Sequence, residues 1–315
     1  MRGVILRAVL ALAAALPALA HATEGALGRP IAGTAIQPYA GVVPDAPVLI
    51  GNLTSIYFDG SIHGSARAPV SGEISLDLGV KVSVTSATVM KVWDTGPGPW
   101  NFASSFTLPY LWNQVTADLQ APTAKLYRQQ SDAGIFDLLV TPLTAGYHFS
   151  KTEHASIGLG IWVPTGSYDK NRLANVGLNY WSFVPTAAYT GLWPEHGVEF
   201  SALGSVQFNT RNKDTDYHSA PLLTLDALAA KDLGSGWRAG LVAAWVQQLA
   251  DDKGPLADKL NGFRGYSVAL GPIVTYSMKI GEARQLDATL RWTPSIASSN
   301  RMEGNAFTFT ASVPF

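Results

Sequence analysis

The sequence contains no cysteine, which removes disulfide frameworks, thiol nucleophiles and cysteine-ligated zinc in one step. Charge is scarce. Asp, Glu, Lys and Arg make up 14% of the residues, against about a quarter in ordinary soluble domains. The formal net charge of −1 gives no reason to expect nucleic acid, whose binding needs a basic surface. Long apolar runs are missing too: past residue 22, no stretch is long and apolar enough to cross a bilayer as a helix. Such a composition leaves two broad options, an aromatic-rich soluble β-protein or a membrane barrel whose hydrophobicity is hidden by alternation.

What is present favours the barrel. Residues 1–22 carry Arg2 and Arg7, an apolar run from Ala8 to Leu19 broken by Pro17, and small residues at Ala18, Ala20 and Ala22. That order predicts a secretory signal cleaved after Ala20 or Ala22, so the mature chain begins near Thr23. A retained membrane anchor is the alternative, but the apolar run is too short to span. Residues 23–51 are rich in Gly, Ala and Pro and lack clean alternation, which predicts an irregular segment, either a loosely ordered periplasmic tail or a plug of the lumen. The barrel itself is expected over 52–315.

The last residues show the strand pattern most plainly. From Ala306 to Phe315 one parity (Phe307, Phe309, Ala311, Val313, Phe315) is wholly apolar, while the other begins Ala306, Thr308, Thr310, Ser312. Period-2 alternation of this kind gives a strand with one apolar face. A soluble sandwich would share it, so the argument rests on recurrence. About twelve strands are expected, near 52–63, 72–92, 100–118, 134–149, 153–163, 179–191, 196–210, 219–232, 236–250, 265–279, 284–295 and 304–315. Within them Val198, Phe200, Val206 and Phe208 oppose Glu199, Ser201, Gln207 and Asn209, and Leu223 and Leu225 oppose Thr224 and Asp226. Likewise Trp237, Leu241 and Trp245 oppose Arg238 and Gln248, and Leu286, Leu290 and Trp292 oppose Asp287 and Arg291. An ion facing lipid near the midplane costs about 2–4 kcal/mol, so the charged parity should face inward.

Connection lengths add an independent signal. From the fourth strand they alternate short (150–152), long (164–179), short (192–195), long (211–218), short (233–235), long (251–264), short (280–283) and long (294–303). Short periplasmic turns and longer outer loops have this rhythm, and an even strand count would put both termini in the periplasm. Aromatics near strand ends, among them Trp93, Trp100, Trp193, Trp237 and Trp292, fit two girdles at headgroup level. The expected fold is therefore an all-β, antiparallel up-and-down transmembrane barrel in the outer membrane of a Gram-negative bacterium.

Three stretches carry a resemblance: P-T-G-S-Y-D (164–169), N-V-G-L-N-Y-W (175–181) and F-N-T-R-N-K-D-T-D-Y (208–217). In order and spacing they resemble the phenol-degradation meta-pathway outer-membrane transporter family, also called the SphA-like transporters, over roughly 134–280. The first hundred residues give little to match. The resemblance implies an outer-membrane barrel that admits aromatic or hydrophobic compounds. Read physically, Pro164-Thr165-Gly166 ends a strand and starts a turn. Asp169, Asn171, Asn175 and Asn179 would brace one long loop, and Asn209, Asn212, Asp214, Thr215 and Asp216 the next. Asp214 and Asp216 are also the weak candidate for calcium.

Enzyme chemistry finds little support. His148-Phe149-Ser150 has the spacing of a membrane hydrolase pair but falls at an expected periplasmic turn. His63, His154, His196 and His218 lack metal-ligand spacing, and Gly96-Pro97-Gly98-Pro99 is a broken turn rather than a phosphate loop. No cofactor is implied. The expected function is passive admission of small hydrophobic or aromatic molecules. Glu199, Gln207, Asp226, Arg238, Asp287 and Arg291 would line the lumen, with Trp162 and Trp181 offering faces for a ring. Expected partners are outer-membrane lipid and lipopolysaccharide, the solute, and the barrel assembly machinery through the strand ending in Phe315. A structural or adhesive barrel without transport is the alternative, and a membrane-embedded lipid hydrolase a weaker one.

Overall fold

The computed structural model describes residues 28–68, 72–121, 124–259, 262–281 and 284–315. The expected signal, 1–22, lies outside the described residues, as does the start of the expected irregular segment. Thirteen strands follow one another: β1 (Leu49–Ala68), β2 (Gly72–Val92), β3 (Trp100–Ala121), β4 (Ala124–Ile135), β5 (Leu138–His148), β6 (Glu153–Val163) and β7 (Ser182–Trp193), then β8 (Val198–Asn209), β9 (Leu222–Gly234), β10 (Trp237–Gln248), β11 (Tyr266–Ile280), β12 (Arg284–Ser299) and β13 (Glu303–Pro314). A single helical turn, α1 (Pro255–Lys259), lies between β10 and β11.

All pairings are antiparallel. β1 pairs with β13 on one side and β2 on the other, and β2 pairs with β3, so the sheet closes on itself. Both β4 and β5 lie against β3: Ala124 sits opposite Ala121 and Ile135 opposite Tyr110, while Leu139 sits opposite Thr107 and Tyr147 opposite Trp100. They are two halves of one stave, interrupted at Phe136 and Asp137, and the barrel has twelve staves. Closure removes the unpaired edges that an open sheet would present to lipid.

The alternation read from the sequence becomes an inside and an outside. Leu225, Leu241, Leu290 and Phe309 are exposed, while their neighbours Asp226, Val242, Arg291 and Thr310 are buried. Aromatics mark both rims. At one end Trp93, Trp100, Trp193, Trp237 and Phe315 are exposed, and the Trp237 and Tyr276 rings lie 4.6 Å apart. Toward the other, Trp245, Trp292 and Phe307 are exposed, with Trp292 and Phe307 stacked at 6.2 Å. Residues 164–181, 210–221, 249–265 and 300–302 connect strands at this second end, the loop end; 93–99, 149–152, 194–197 and 235–236 do so at the turn end.

Two expectations are corrected. The fourth strand does not begin at 134 but at Ala124. Lys125, Leu126, Tyr127, Arg128 and Gln129 are all exposed, so neither parity had to be apolar and no alternation marked them. The expected long loop at 294–303 shrinks to 300–302, because β12 continues past Pro294 to Ser299. The β11–β12 register shifts at Ala269, opposite Ser295, and an irregularity of this kind accommodates a proline within a sheet. The end of β13 and the start of the described segment before β1 lie at different rims. Phe315 donates its N–H to the Leu49 carbonyl at the turn end, as an even stave count requires. Arg29, however, bonds Ser182 at the loop end, because the chain before β1 turns back through the barrel.

Candidate functional site

Residues 28–48 follow the inward faces from the loop end to the turn end. Their apolar side chains each complete a cluster of inward aliphatics. Ala32 joins Leu222, Ala244, Val246 and Ala269; Ile36 joins Leu228, Val242 and Ile273; Val43 joins Val92 and Ala103. This sequence of contacts descends the barrel. Gly41 passes so close to β7 that a Cβ there would lie 2.6 Å from the Thr190 amide nitrogen, which accounts for glycine at that position.

The backbone of the segment is held by side chains of the wall. Asp226 accepts the Ile36 N–H at 3.2 Å, while Arg291 donates to the Ile36 carbonyl and, at 3.0 Å, to the Thr34 carbonyl. Glu199 accepts the Tyr39 N–H at 2.6 Å and the Ser201 hydroxyl at 2.7 Å, and pairs with Arg238 at 2.6 Å. The Arg238 guanidinium in turn lies 4.8 Å from the Tyr39 ring centroid. Thr190 accepts the Gly41 N–H at 2.9 Å. Buried charges are tolerated only when paired and hydrogen-bonded, and here a peptide chain supplies the missing partners.

The expected lumen residues separate accordingly. Glu199, Asp226 and Arg291 are buried and grip the segment, with Arg238 engaged through Glu199. Gln207 is buried nearer the loop end, donating to Asn209 at 2.8 Å. Asp287 sits apart from them, accepting from Ser277 at 2.5 Å and Gln285 at 2.8 Å. Trp162 is partly buried against Phe136, ring centroids 5.6 Å apart. Trp181 is 42% exposed on the parity of the outward Phe183 and is not brought to the others. Missed by the sequence reading were Arg29 and Asp137, paired at 2.5 Å with almost no exposure. An acid flanked by Phe136 and Leu138 was the available signal.

At the loop end the interior changes character. Phe58, Leu78, Val80, Val82, Leu111 and Val115 of β1–β3 form one buried apolar cluster with Phe136 and Met302. Leu173, Ala174 and Val176 of the 164–181 connection cover it, and Ile31 and Trp162 pack against it. The three sequence motifs hold that cover in place. Gly166 of the first and Gly177 of the second meet backbone to backbone, where a Cβ on Gly177 would lie 2.4 Å from the Gly166 carbonyl oxygen. Asn175 accepts the Asp169 N–H at 2.8 Å and donates to the Asp169 carbonyl at 3.1 Å. Asn179, at a φ of 59°, donates to Asn212 at 2.9 Å and Asp214 at 3.0 Å, joining the second motif to the third.

The same bonds bear on the other chemistries. Asp214 is engaged by Asn179, and Asp216 pairs with Arg211 at 2.6 Å, so both carboxylates already have protein partners. His148 meets His154 through Nδ1 atoms 2.6 Å apart, while the Ser150 hydroxyl lies 3.1 Å from that of Thr152. That geometry gives Ser150 no histidine base. In the loops, Asp252 accepts from the Tyr217 hydroxyl, from the Ala220 N–H at 2.7 Å and from Gln248 at 2.9 Å. Burial raises its carboxyl above the ordinary range, with the Ala220 N–H and the Tyr217 hydroxyl opposing the shift. Burial likewise lowers the Arg301 guanidinium to about 10, with Asp252 opposing, and Arg301 donates to the Pro30 carbonyl at 2.9 Å.

The chain is similar in structure to the COG4313 outer membrane channel from Pseudomonas putida F1, at 14% identity and a TM-score of 0.69, covering 89% of this chain and 100% of that one. It is similar more distantly to a FadL homologue of Pseudomonas aeruginosa, at 8% identity and a TM-score of 0.45, over 93% of this chain and 97% of that one. No curated protein matches. The model of one protein family, described as "Putative MetA-pathway of phenol degradation", matches residues 64–311, and the chain belongs to that family.

Proposed function

We propose that the protein is an outer-membrane channel that passively admits small hydrophobic or aromatic compounds, with its loop end outside and its turn end in the periplasm. The observation that carries this reading is the apolar cluster at the loop end. Aliphatic and aromatic side chains of β1–β3, Phe136 and Trp162 are covered there by a connection rather than by another stave. A mouth of that composition favours solutes that shed apolar area from water, at about 25 cal/mol per Å² buried. The family description and the name of the Pseudomonas putida channel agree with it.

Below the mouth, residues 28–48 act as a plug. Ions of either sign would meet a path already occupied by peptide, with Glu199 facing Arg238 and Asp226 near Arg291. A hydrophobic solute held at the mouth lies beside Phe136, where β4 pairs with β3 and not with β6, so sideways release through the interrupted stave is the shorter route. Nothing in this path performs a covalent step, and the protein is read as a channel rather than a hydrolase.

Two measurements test the reading. Refolded protein in a planar bilayer should conduct weakly, and removal of residues 23–47 should enlarge the steps; equal conductance would reject the plug. Uptake of a radiolabelled aromatic should fall in a deletion strain and return on complementation. Unchanged uptake would leave the structural or adhesive reading in its place.

A further inference from the structure

The geometry points to a binding site for an amphiphilic organic cation at the interrupted stave, occupied in this structure by the chain's own Arg29. The inference deepens the channel reading and rests on it. The guanidinium carbon of Arg29 lies 4.6 Å from the Tyr180 ring centroid, 5.4 Å from that of Trp162 and 6.0 Å from that of Phe136. Three aromatic rings around one cation form a cage, and ring quadrupoles attract ammonium and guanidinium groups alike. One nitrogen donates to Asp137 at 2.5 Å and to the Tyr180 carbonyl at 3.0 Å; another donates to the Ser182 hydroxyl at 2.5 Å.

Every group that holds Arg29 belongs to the wall or its loops, whereas Arg29 belongs to the segment before β1. Asp137 also accepts the Gly166 N–H at 3.0 Å and the Leu178 N–H at 3.3 Å, so its carboxylate is aimed by the barrel itself. A fixed carboxylate in a site of almost no exposure calls for a cation.

The site is also continuous with the apolar mouth. Phe136 is a member of the loop-end cluster, and Trp162 packs against it. Ile31, two residues after Arg29, packs against the same cluster. Arg29 and Ile31 thus stand where the head and tail of one ligand would lie. The ligand class is a guanidinium or ammonium carrying an alkyl or aryl tail, and Arg29 is its built-in competitor.

Titration calorimetry of the refolded protein with n-octylguanidinium, beside n-octanol as the neutral control, tests this. Arg29→Ala empties the cage and should bind n-octylguanidinium about tenfold or more tightly than the unsubstituted protein does, with little change for n-octanol. Adding Asp137→Asn should bring the cation's affinity down to that of n-octanol. Equal binding of the two probes by R29A overturns the cation site while leaving the apolar mouth standing; binding of neither removes both. Should R29A not refold, Arg29→Lys keeps the charge and loses the planar fork. R29K must then bind n-octylguanidinium more tightly than the unsubstituted protein, and equal affinity overturns the proposal.

Discussion

Between β7 and β12 the inward face sets ionic and hydroxylic groups that grip backbone beside aliphatics that meet Ala32 and Ile36, whereas at the loop end of β1–β3 it is aliphatic and packs side chains alone. In the first region Thr190, Glu199, Asp226 and Arg291 bind amides and carbonyls of residues 34–41. Backbone groups are the same in any sequence, so those bonds fix where the chain runs, while Ala32 and Ile36 fit the aliphatics beside them. In the second, Leu78, Val80, Val115 and Phe136 meet Leu173 and Val176. Contacts of that kind are non-directional and would accept another apolar body of similar size. One region is therefore suited to holding a segment and the other to exchanging one occupant for another. Arg29 and Asp137 stand at their junction.

Breaking the ionic region should have the largest effect. Glu199→Ala leaves Arg238 without its partner and the Tyr39 N–H without its acceptor, in a site with almost no exposure on the Glu199 side. Loss of one member of a buried pair costs about 3–5 kcal/mol, read as a lower urea midpoint, and bilayer conductance should rise as the segment loosens. Unchanged conductance would show that the segment is held elsewhere.

Leu173→Ala thins the cover of the apolar mouth, where Leu173 is buried. A stability loss of about 2 kcal/mol or more is expected for a buried leucine. Binding of a neutral aromatic should change while conductance does not, the reverse of the Glu199 result.

A smaller, pH-dependent difference is expected at Asp252. Its folded carboxyl titrates above the ordinary value of 3.8, so the folded state holds the proton more tightly than the unfolded chain. That contribution is present in acid and is lost as pH rises through the folded value. Thermal unfolding of the unsubstituted protein and Asp252→Asn should therefore show a stability difference that shifts toward the variant with rising pH. A constant difference would place the proton elsewhere. Least affected should be Lys81→Ala, since Lys81 and Asp59 are 3.7 Å apart and each 49% exposed. Its effect should stay below about 1 kcal/mol in the same denaturation assay.

The barrel was legible wherever lipid imposed alternation. β6 and β2 have the bounds their patterns predict, and the charged parities of β8, β9 and β12 turn inward. Lipid says nothing about strands that project beyond it, which is why no strand is expected over 119–133, where β4 begins. Nor does alternation reveal what an inward charge binds. Glu199, Asp226 and Arg291 are expected to line the lumen, and their partners in the segment before β1 lie about 160 to 260 residues away in the chain, as the separations of their hydrogen bonds show.

The sequence by itself determined an alternating, cysteine-free, charge-poor chain that closes into a barrel, because period-2 burial against lipid is a local property of each strand. It also determined the loop motifs, since Gly166, Gly177 and Asn179 occupy positions that close approach or a positive φ restricts. Only the tertiary structure decided that the segment before β1 doubles back through the barrel, that Asp137 interrupts a stave, and that Arg29 fills an aromatic cage. Those arrangements join residues from distant parts of the chain, and the energy that selects them comes from apolar packing and from pairing buried charges, both of which exist only after the wall has closed around them.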